Sequence, residues 1–151
     1  MAEGEKTVAV NRRAGFDYDF LERYEAGLAL TGTEIKSIRE GRVNLRDAFA
    51  RVQSGEMWLH NLHIAEYSAA GPFSHEPTRP RKLLLHKDEI AHLAGALEQR
   101  GLTLIATRLY LKRGRAKIEL AVAKGRKTYD KRAAIAEREA NRAMQRALRQ
   151  R

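Results

Sequence analysis

The feature that most limits the fold of this chain is the alternation of apolar and polar residues over positions 18–30. Apolar side chains stand at every second position through much of this stretch: Tyr18, Phe20, Tyr24, Ala26, Leu28 and Leu30. A period of two is typical of a β-strand with one buried face, because successive side chains of a strand point to opposite sides of the sheet. The stretch therefore predicts a half-buried strand, or a bent pair of strands with a bulge at Gly27.

Two hairpins are predicted further along the chain. Residues 48–53 and 57–64 form two strand-like runs around a Ser-Gly-Glu turn, and residues 102–111 and 116–123 form two more around Lys-Arg-Gly-Arg. Short runs rich in β-branched and aliphatic residues on either side of a glycine-containing link are typical of hairpins.

Two helices and one irregular segment are also predicted. A short helix is expected at 34–39, with Thr33 as its N-cap and a glycine after its end. A longer helix is expected at 86–100, where apolar residues recur at i, i+3, i+4 and i+7 and Gly101 stands at the C-terminal cap. Residues 69–80 hold all three prolines and are expected to form an irregular loop.

Together these elements predict a mainly β fold. About six short strands, with one substantial helix between late strands, are typical of a small Greek-key barrel. We therefore predict a closed six-stranded β-barrel of OB type with flanking helices, formed by residues 1–123 and followed by a basic C-terminal tail at residues 124–151. The order of strands and helices also allows another α+β sandwich.

Positive charge is concentrated in the tail. The net charge of the chain is +10. Residues 124–151 contain ten Lys and Arg against three Asp and Glu, a net charge of +7, which leaves +3 for the other 123 residues. An excess of positive charge favours polyanionic partners such as nucleic acid, although a basic tail can also serve only solubility.

The tail has a helical pattern with a weak apolar face. At 100° per residue, Arg138, Arg142, Arg146 and Arg149 fall in one stripe, and the opposite side is mostly alanine. Alanine favours helix but buries little area, so packing offsets little of the entropy lost on ordering. We expect the free tail to be disordered or partly helical and to become helical when a polyanion neutralises the arginines. The alternative is a helix docked on the body.

Composition and pattern exclude several kinds of site. With no cysteine the chain has no disulfide, zinc ribbon or thiol nucleophile. No stretch approaches the roughly 20 apolar residues needed to cross a bilayer. The charged N-terminus has no apolar run behind it, so we expect no secretory signal and a cytoplasmic location.

Catalytic and metal-binding patterns are weak. His60 and His63 would point to opposite faces of a strand and have no carboxylate at ligand spacing, so a metal site is not expected. Asp17 and Asp19 lie on one side of a predicted strand, which leaves open a nuclease as well as an ordinary solvated face. We predict a protein that is not an enzyme and needs no cofactor.

Four spaced blocks carry a resemblance to a known family. They are Asn11-Arg12-Arg13-Ala14; Glu25 through Leu30 with Gly32 through Arg39; Arg81 through Leu85 with Glu89-Ile90; and Ala123 through Lys127 with Asp130-Lys131-Arg132. In this order and spacing they resemble the SsrA-binding proteins, also called small protein B, over about residues 8 to 132.

This resemblance implies a role in bacterial ribosome rescue. Members of the family bind the tRNA-like domain of transfer-messenger RNA through an OB-type barrel. They promote its alanylation and its delivery, with elongation factor Tu, to stalled ribosomes. The resemblance further implies that the tail enters the empty messenger channel of the small subunit near the decoding centre and folds there as a helix. We expect a monomer without membrane contact.

The resemblance and the basic clusters predict the site residues. Five are implied to contact or shape the RNA site: Asn11, Tyr18, Glu25, Leu84 and Lys117. Eight more are predicted to bind RNA: Arg12, Arg13, Lys36, Arg81, Lys82, Lys124, Arg126 and Lys127. The decoding-site and tail residues are Tyr129, Asp130, Lys131, Arg132, Arg138, Arg142 and Arg146. Because a carboxylate repels phosphate, Glu25 is expected to accept hydrogen bonds from base or backbone donors. For Tyr18, Leu84 and Tyr129, which are candidate stacking platforms, the alternative is ordinary core packing.

Two rival functions stay open from the sequence. One is a ribosomal or ribosome-assembly protein that binds structured rRNA, and the other is the small nuclease built on Asp17, Asp19 or the histidines. Stoichiometric association with free small subunits would favour the first. Cleavage of RNA with magnesium that is lost in Asp17→Ala would favour the second.

Overall fold

A computed structural model describes residues 4–99, 101–125 and 128–149 of the chain, with side chains described except at 128–134. In chain order the elements are β1 (Glu5–Val10), α1 (Ala14–Asp17), β2 (Tyr18–Leu28), α2 (Gly32–Arg39), β3 (Val43–Asn44), β4 (Phe49–Gln53), β5 (Glu56–His60), β6 (His63–Ile64), a 3-10 segment (Ser68–Phe73), β7 (Arg81–Leu84), α3 (Lys87–Leu97), β8 (Leu102–Lys112), β9 (Arg115–Gly125) and α4 (Thr128–Arg149).

One large antiparallel sheet dominates the fold. Hydrogen-bonded pairings lead from β8 through β4, β5, β7, β2 and β9, and β9 pairs with β8 again. β1 pairs with residues 108–112 of β8, whereas β4 pairs with residues 104–105 of the same strand. β3 pairs with β6 as a separate ribbon. The longest strands, β2, β8 and β9, lie next to one another and form the most extensive pairings. A mainly β fold with flanking helices, as the sequence predicts, is confirmed.

The main core lies on the inner face of this sheet. Leu59, Leu104, Ile118 and Leu120 are fully buried there, and Leu93 of α3 packs among them with no exposed surface. Leu93 belongs to the i, i+3, i+4, i+7 stripe that predicts this helix, so the helix forms where its apolar face meets the sheet. Burial of such side chains contributes roughly 1.5–3 kcal/mol each relative to exposure.

A second, smaller cluster covers part of the outer face. Ala121 and Ala123 of β9 are fully buried against Ala14 of α1 and Ile105 of β8, with Phe20 half-buried at the margin. Alternation along β9 should place Ala121 on the face away from the main core, with Lys117 and Glu119. It does face away, but α1 covers it, because the short Ala14–Asp17 helix folds over this end of the sheet.

The short helix α2 begins two residues earlier than predicted. Thr31, not Thr33, is the N-cap: its hydroxyl accepts from the Glu34 N–H at 3.4 Å, and the Glu34 carboxylate accepts from the Thr31 N–H at 2.8 Å. This reciprocal capping box requires a Thr or Ser three residues before a Glu, a spacing that only Thr31 meets. Gly41, with φ of +76°, follows the helix end, as predicted.

The predicted strand at 57–64 is divided in two. Asn61 has φ of +63°, which interrupts the extended path between β5 and β6. Asparagine is among the few residues that adopt this conformation readily. β1 and α1 were not predicted, because neither has enough residues of one periodicity to stand out in the sequence.

The described tail is a helix, α4, with few contacts to the body. Its side chains from Ile135 to Arg149 are all exposed. The Arg138 guanidinium lies 4.4 Å from the centre of the Phe16 ring of α1. Among the described residues no helix is long and apolar enough to span a bilayer.

Candidate nucleic-acid interface

Strand register brings three predicted site residues to one spot. Gly27 of β2 pairs with Lys117 of β9 on one side and with Leu84 of β7 on the other, and Glu25 lies two positions before it. Directly paired residues and residues two apart on a strand share a face of the sheet. Glu25, Leu84 and Lys117 therefore surround a glycine that contributes no side chain of its own.

Gly27 allows a close approach that forms this depression. A Cβ atom on residue 27 would lie 3.2 Å from the Leu84 Cβ, which is tighter than ordinary packing. The groove above it has a volume of about 540 Å³ and is also bordered by Lys82. Leu84 remains 54% exposed, which makes it an apolar platform within a polar rim. Such a platform beside cations suits a base or sugar of RNA.

Glu25 is held as an ionised acceptor. The buried Tyr110 donates its hydroxyl hydrogen bond to Glu25 Oε2, and Lys112 Nζ lies 3.4 Å from the same oxygen. The Tyr110 hydrogen bond and the nearby lysines hold the pKa of Glu25 below its usual value. Burial and the same hydrogen bond raise the pKa of Tyr110, which therefore stays a donor. Both described donors bind Oε2, so Oε1 is the oxygen available to a ligand.

Predicted residues of the body and the tail meet at a second place. A cleft of about 520 Å³ between α1 and α4 is lined by Arg12, Arg13, Arg138 and Arg142, with Phe16 on its floor. Arg13 Nε lies 3.6 Å from the Asp17 carboxylate, an exposed i,i+4 pair. Asp17 and Glu139 also line the cleft, so its four guanidinium groups exceed its carboxylates by two charges and the surface is cationic.

Asn11 is used within the protein. Its Nδ2 donates to the carbonyls of Arg46 and Ala106, both at 3.3 Å, and its Oδ1 accepts from the Ala14 N–H at 3.3 Å. These bonds fasten the start of α1 to the sheet. Asn11 thus shapes the cationic surface and leaves no amide donor for direct RNA contact. Tyr18 is half-buried in the outer cluster, as the packing alternative predicts.

The prediction that Arg81 binds RNA is wrong. Its side chain has no exposed surface. Its Nε bonds to Glu34, its Nη1 donates to the Leu62 carbonyl at 2.6 Å, and its Nη2 donates to the Pro77 carbonyl at 3.0 Å. The sequence shows Arg81 beside Lys82 as a basic pair, but alternation along β7 sends the two side chains to opposite faces.

The buried pair of Glu34 and Arg81 ties α2 to the sheet. Glu34 is also fully buried and accepts a second guanidinium, Arg79, with Nε at 3.1 Å. Burial alone would raise the pKa of Glu34, but hydrogen bonds from Arg79, the Thr31 backbone and Arg81 together hold it below its usual value. The carboxylate is therefore ionised at neutral pH, and the network is structural.

The remaining predicted residues are placed separately. Lys36 lies over the Tyr67 ring at 5.4 Å, Lys82 pairs with Glu56 at 2.6 Å, and Lys124 is exposed near the end of β9. Arg146 is exposed on α4. Arg126 and Lys127 lie outside the described residues. Tyr129, Asp130, Lys131 and Arg132 belong to the first turns of α4, where only the backbone is described.

The nuclease alternative gains no support from the geometry. In the described parts of the chain no three carboxylates, histidines or cysteines come together as metal ligands. Asp17 and Asp19 occupy different elements, α1 and β2. The His60 ring stacks on Phe49 with centroids 5.4 Å apart, which is a packing role.

Sequence reasoning missed Tyr110 and the tip of the β8–β9 hairpin. Lys112, Arg113 and Arg115 line a second cleft together with Glu25 and Lys117. The Lys-Arg-Gly-Arg link was a visible signal of cationic charge, but its place beside Glu25 depends on pairing between β2 and β9.

A mainly β fold with exposed basic side chains beside an apolar platform defines a class of small proteins suited to nucleic acid. The model of the SmpB protein family matches residues 8–150, and the chain belongs to that family. It is 58% identical to the SsrA-binding protein of Carboxydothermus hydrogenoformans over 147 residues, covering 97% of this chain and 99% of the relative. It is 56% identical to the SsrA-binding protein of Thermobifida fusca, covering 99% and 93%.

A solved structure is similar as well. One chain of the structure named "tmRNA-SmpB: a journey to the center of the bacterial ribosome" matches with a TM-score of 0.69 and 47% sequence identity. The match covers 84% of this chain and 93% of that chain. The resemblance that the four sequence blocks carry is confirmed.

Proposed function

We propose that this protein is an RNA-binding adaptor of ribosome rescue that binds the tRNA-like domain of transfer-messenger RNA. The observation that carries the proposal is the convergence of Glu25, Leu84 and Lys117 around Gly27 in a chain whose family model matches residues 8–150. The relatives are named for binding SsrA, and the similar solved chain is named for a complex with tmRNA and the ribosome.

The chemistry of the groove supports RNA as the ligand. Lys117 and Lys82 supply cations for phosphates, and Leu84 supplies a surface for a base or sugar. The free Oε1 of Glu25 accepts a donor such as a 2′-hydroxyl or a guanine edge. A groove with all three chemistries distinguishes RNA from a simple polyanion.

Architecture and tail complete the proposal. The sheet is a closed six-stranded barrel of OB type, which the ring of pairings from β8 back to β8 supports. Residues 1–123 form the RNA-binding body, and residues 124–151 form a tail that is disordered when free. The arginine stripe of α4 supports a helix that occupies the empty messenger channel near the decoding centre. We propose that the protein is monomeric, cytoplasmic and without catalytic activity or cofactor.

Alanylation and delivery follow from holding the RNA. An adaptor that grips the tRNA-like domain through one face leaves the acceptor end open to an alanylating enzyme and to elongation factor Tu. The rival function, a ribosomal or ribosome-assembly protein, uses the same basic surface on rRNA, so the bound RNA decides between the two.

Crosslinking in cells followed by sequencing of the bound RNA tests the proposal. We expect one dominant structured RNA with an acceptor-stem-like end, and enrichment of the protein on stalled ribosomes. Glu25→Gln should weaken capture of that RNA, whereas Glu137→Gln, a matched change on an exposed face of α4, should not. Recovery of mainly rRNA from free small subunits would replace the proposal with the rival.

A further inference from the structure

We propose that the tip of the β8–β9 hairpin is a phosphate-binding subsite of the RNA interface, formed by Lys112, Arg113 and Arg115. The inference rests on the proposed function and extends it, since it names where the RNA backbone is held relative to the groove at Glu25 and Lys117.

The tip is a tight and well-anchored turn. Lys112 pairs with Arg115, and the two residues between them, Arg113 and Gly114, have φ of +53° and +79°. Positive φ at both central residues is the two-residue hairpin turn whose twist matches the strands on either side. The Arg113 N–H donates to the Gly4 carbonyl at 3.2 Å, which fixes the tip to the start of β1. The cations therefore stand on a rigid support.

The tip adjoins the groove above Gly27. A cleft of about 440 Å³ is lined by Glu25, Lys112, Arg113, Arg115 and Lys117, and two of these residues also line the groove above Gly27. The only carboxylate among the five already accepts from Tyr110 and Lys112. The charge of the cleft is therefore strongly positive.

Arg113 and Arg115 keep their donors for a ligand. Both are exposed, and neither forms an ion pair with any residue that the structure describes. A guanidinium binds a phosphate through two parallel hydrogen bonds, which a lysine does not match. An RNA strand whose base or sugar rests at Leu84 and Glu25 would place its neighbouring phosphates over this tip.

A salt titration tests the inference. The double variant Arg113→Asn with Arg115→Gln removes both guanidinium groups, and asparagine keeps the positive φ that position 113 requires. We expect the slope of log affinity against log salt, measured with the tRNA-like domain of transfer-messenger RNA, to become shallower by about 2. Charge-preserving Arg113→Lys with Arg115→Lys should retain most of the slope and lose part of the affinity.

A matched control separates contact from general charge. Arg39→Gln with Arg51→Gln removes the same charge from exposed arginines that line neither cleft, and its slope should change by well under 1. Equal slopes for the tip variant and this control would overturn the inference while wild-type binding still upheld the proposed function. If the wild-type protein did not bind the tRNA-like domain in preference to other RNA, the proposed function would be overturned instead.

A measurement on the wild-type protein avoids any effect on folding. Phenylglyoxal modifies accessible arginines, and we expect bound RNA to protect Arg113 and Arg115 but not Arg39 or Arg51. Full reactivity of both tip arginines in the RNA complex would overturn the inference. Protection by elongation factor Tu without RNA would also overturn it, because the tip would then be a protein contact.

Discussion

The body and the C-terminal helix of this molecule are built on opposite principles. In the body, fully buried leucines and a buried ion pair between Glu34 and Arg81 fix each element against several others. In α4, every described side chain from Ile135 onward is exposed, and Met144 and Leu148 are 63% and 58% exposed. The body holds its shape by packing, whereas the described side chains of α4 have little to pack against.

Because of this difference, the body and α4 are suited to recognise a partner in different ways. A surface fixed by packing presents Glu25, Leu84 and Lys117 at constant spacing, which suits reading the shape of a folded RNA. A helix with an alanine-rich face and an arginine stripe has little of its own to pack against, so its environment decides its place. The predictions below test this division, from the largest expected effect to the smallest.

Truncation after Gly125 should separate the activity of the body from that of the tail. We expect rescue of stalled ribosomes to fall to background, because the arginine stripe is lost, whereas the truncated protein should bind the tRNA-like domain within about tenfold of the full chain at moderate salt. Peptide-tagging and RNA-binding assays measure the two activities. Rescue at normal levels by the truncated protein would contradict the division of labour.

Glu34→Gln should destabilise the body severely. The change leaves the buried Arg81 without its carboxylate, and breaking one side of a buried pair typically costs about 3–5 kcal/mol. Denaturant unfolding measures the loss, and Glu137→Gln on α4 should change stability by less than about 0.5 kcal/mol. A small effect at Glu34 would show that the network does not hold α2 in place.

The same network makes the body sensitive to acid. The pKa of Glu34 is lowered in the folded state, so its contribution to stability is present above its unfolded pKa and is lost as pH falls through the folded value. In the acidic range below the unfolded pKa of glutamate, denaturant unfolding should show the wild type losing stability more steeply with falling pH than Glu34→Gln, which lacks this titration.

Leu93→Ala should destabilise the body by about 2–5 kcal/mol. The side chain is fully buried where α3 meets the sheet, and its loss leaves a cavity. Leu148→Ala makes the same chemical change on exposed α4 and should cost less than about 0.5 kcal/mol. Similar losses at both positions, measured by thermal unfolding, would mean that α4 packs on the body after all.

Tyr110→Phe should weaken RNA binding by about three- to tenfold without unfolding the protein. It keeps the ring but removes the donor that orients Glu25, so the pKa of Glu25 should rise. Carboxylate NMR titration and RNA affinity report the two effects. In the matched control Tyr24→Phe, the pKa of Glu22 should rise instead, with RNA affinity unchanged.

Phe16→Leu should have the smallest effect. It removes the aromatic face under Arg138, an interaction worth roughly 0.5–1 kcal/mol at an exposed site. Amide hydrogen exchange in the first half of α4 should speed up by about two- to fivefold, with the body unchanged. No change at all would show that α4 rests on the body through other contacts.

Local patterns in the sequence predicted local structure well. The stripe around Leu93 predicted α3, and the glycine at 114 predicted the β8–β9 turn, because both signals lie within one element. The groove at Glu25 was predicted only through family resemblance. No periodicity shows that Glu25, Leu84 and Lys117 are neighbours, since this depends on strands far apart in the chain.

The wrong prediction at Arg81 has the same origin. Its partner Glu34 lies 47 positions earlier, in a helix whose own sequence explains the glutamate as part of a cap. A charged residue is normally taken as exposed. Only the fold shows that Glu34 of the helix cap and Arg81 of the strand meet in the interior. Tyr110 escaped notice likewise, because its carboxylate partner is 85 positions away.

The absence of a side chain at residue 27 has one further consequence. The nearest neighbour of the missing methyl group is the Leu84 Cβ. Because residue 27 has no side chain, the Leu84 side chain can lie close to the backbone of the neighbouring strand. A single added carbon at this position would tilt the platform without altering any group that touches a ligand. The shape of the groove surface at Leu84 thus depends on the residue at position 27 of the neighbouring strand.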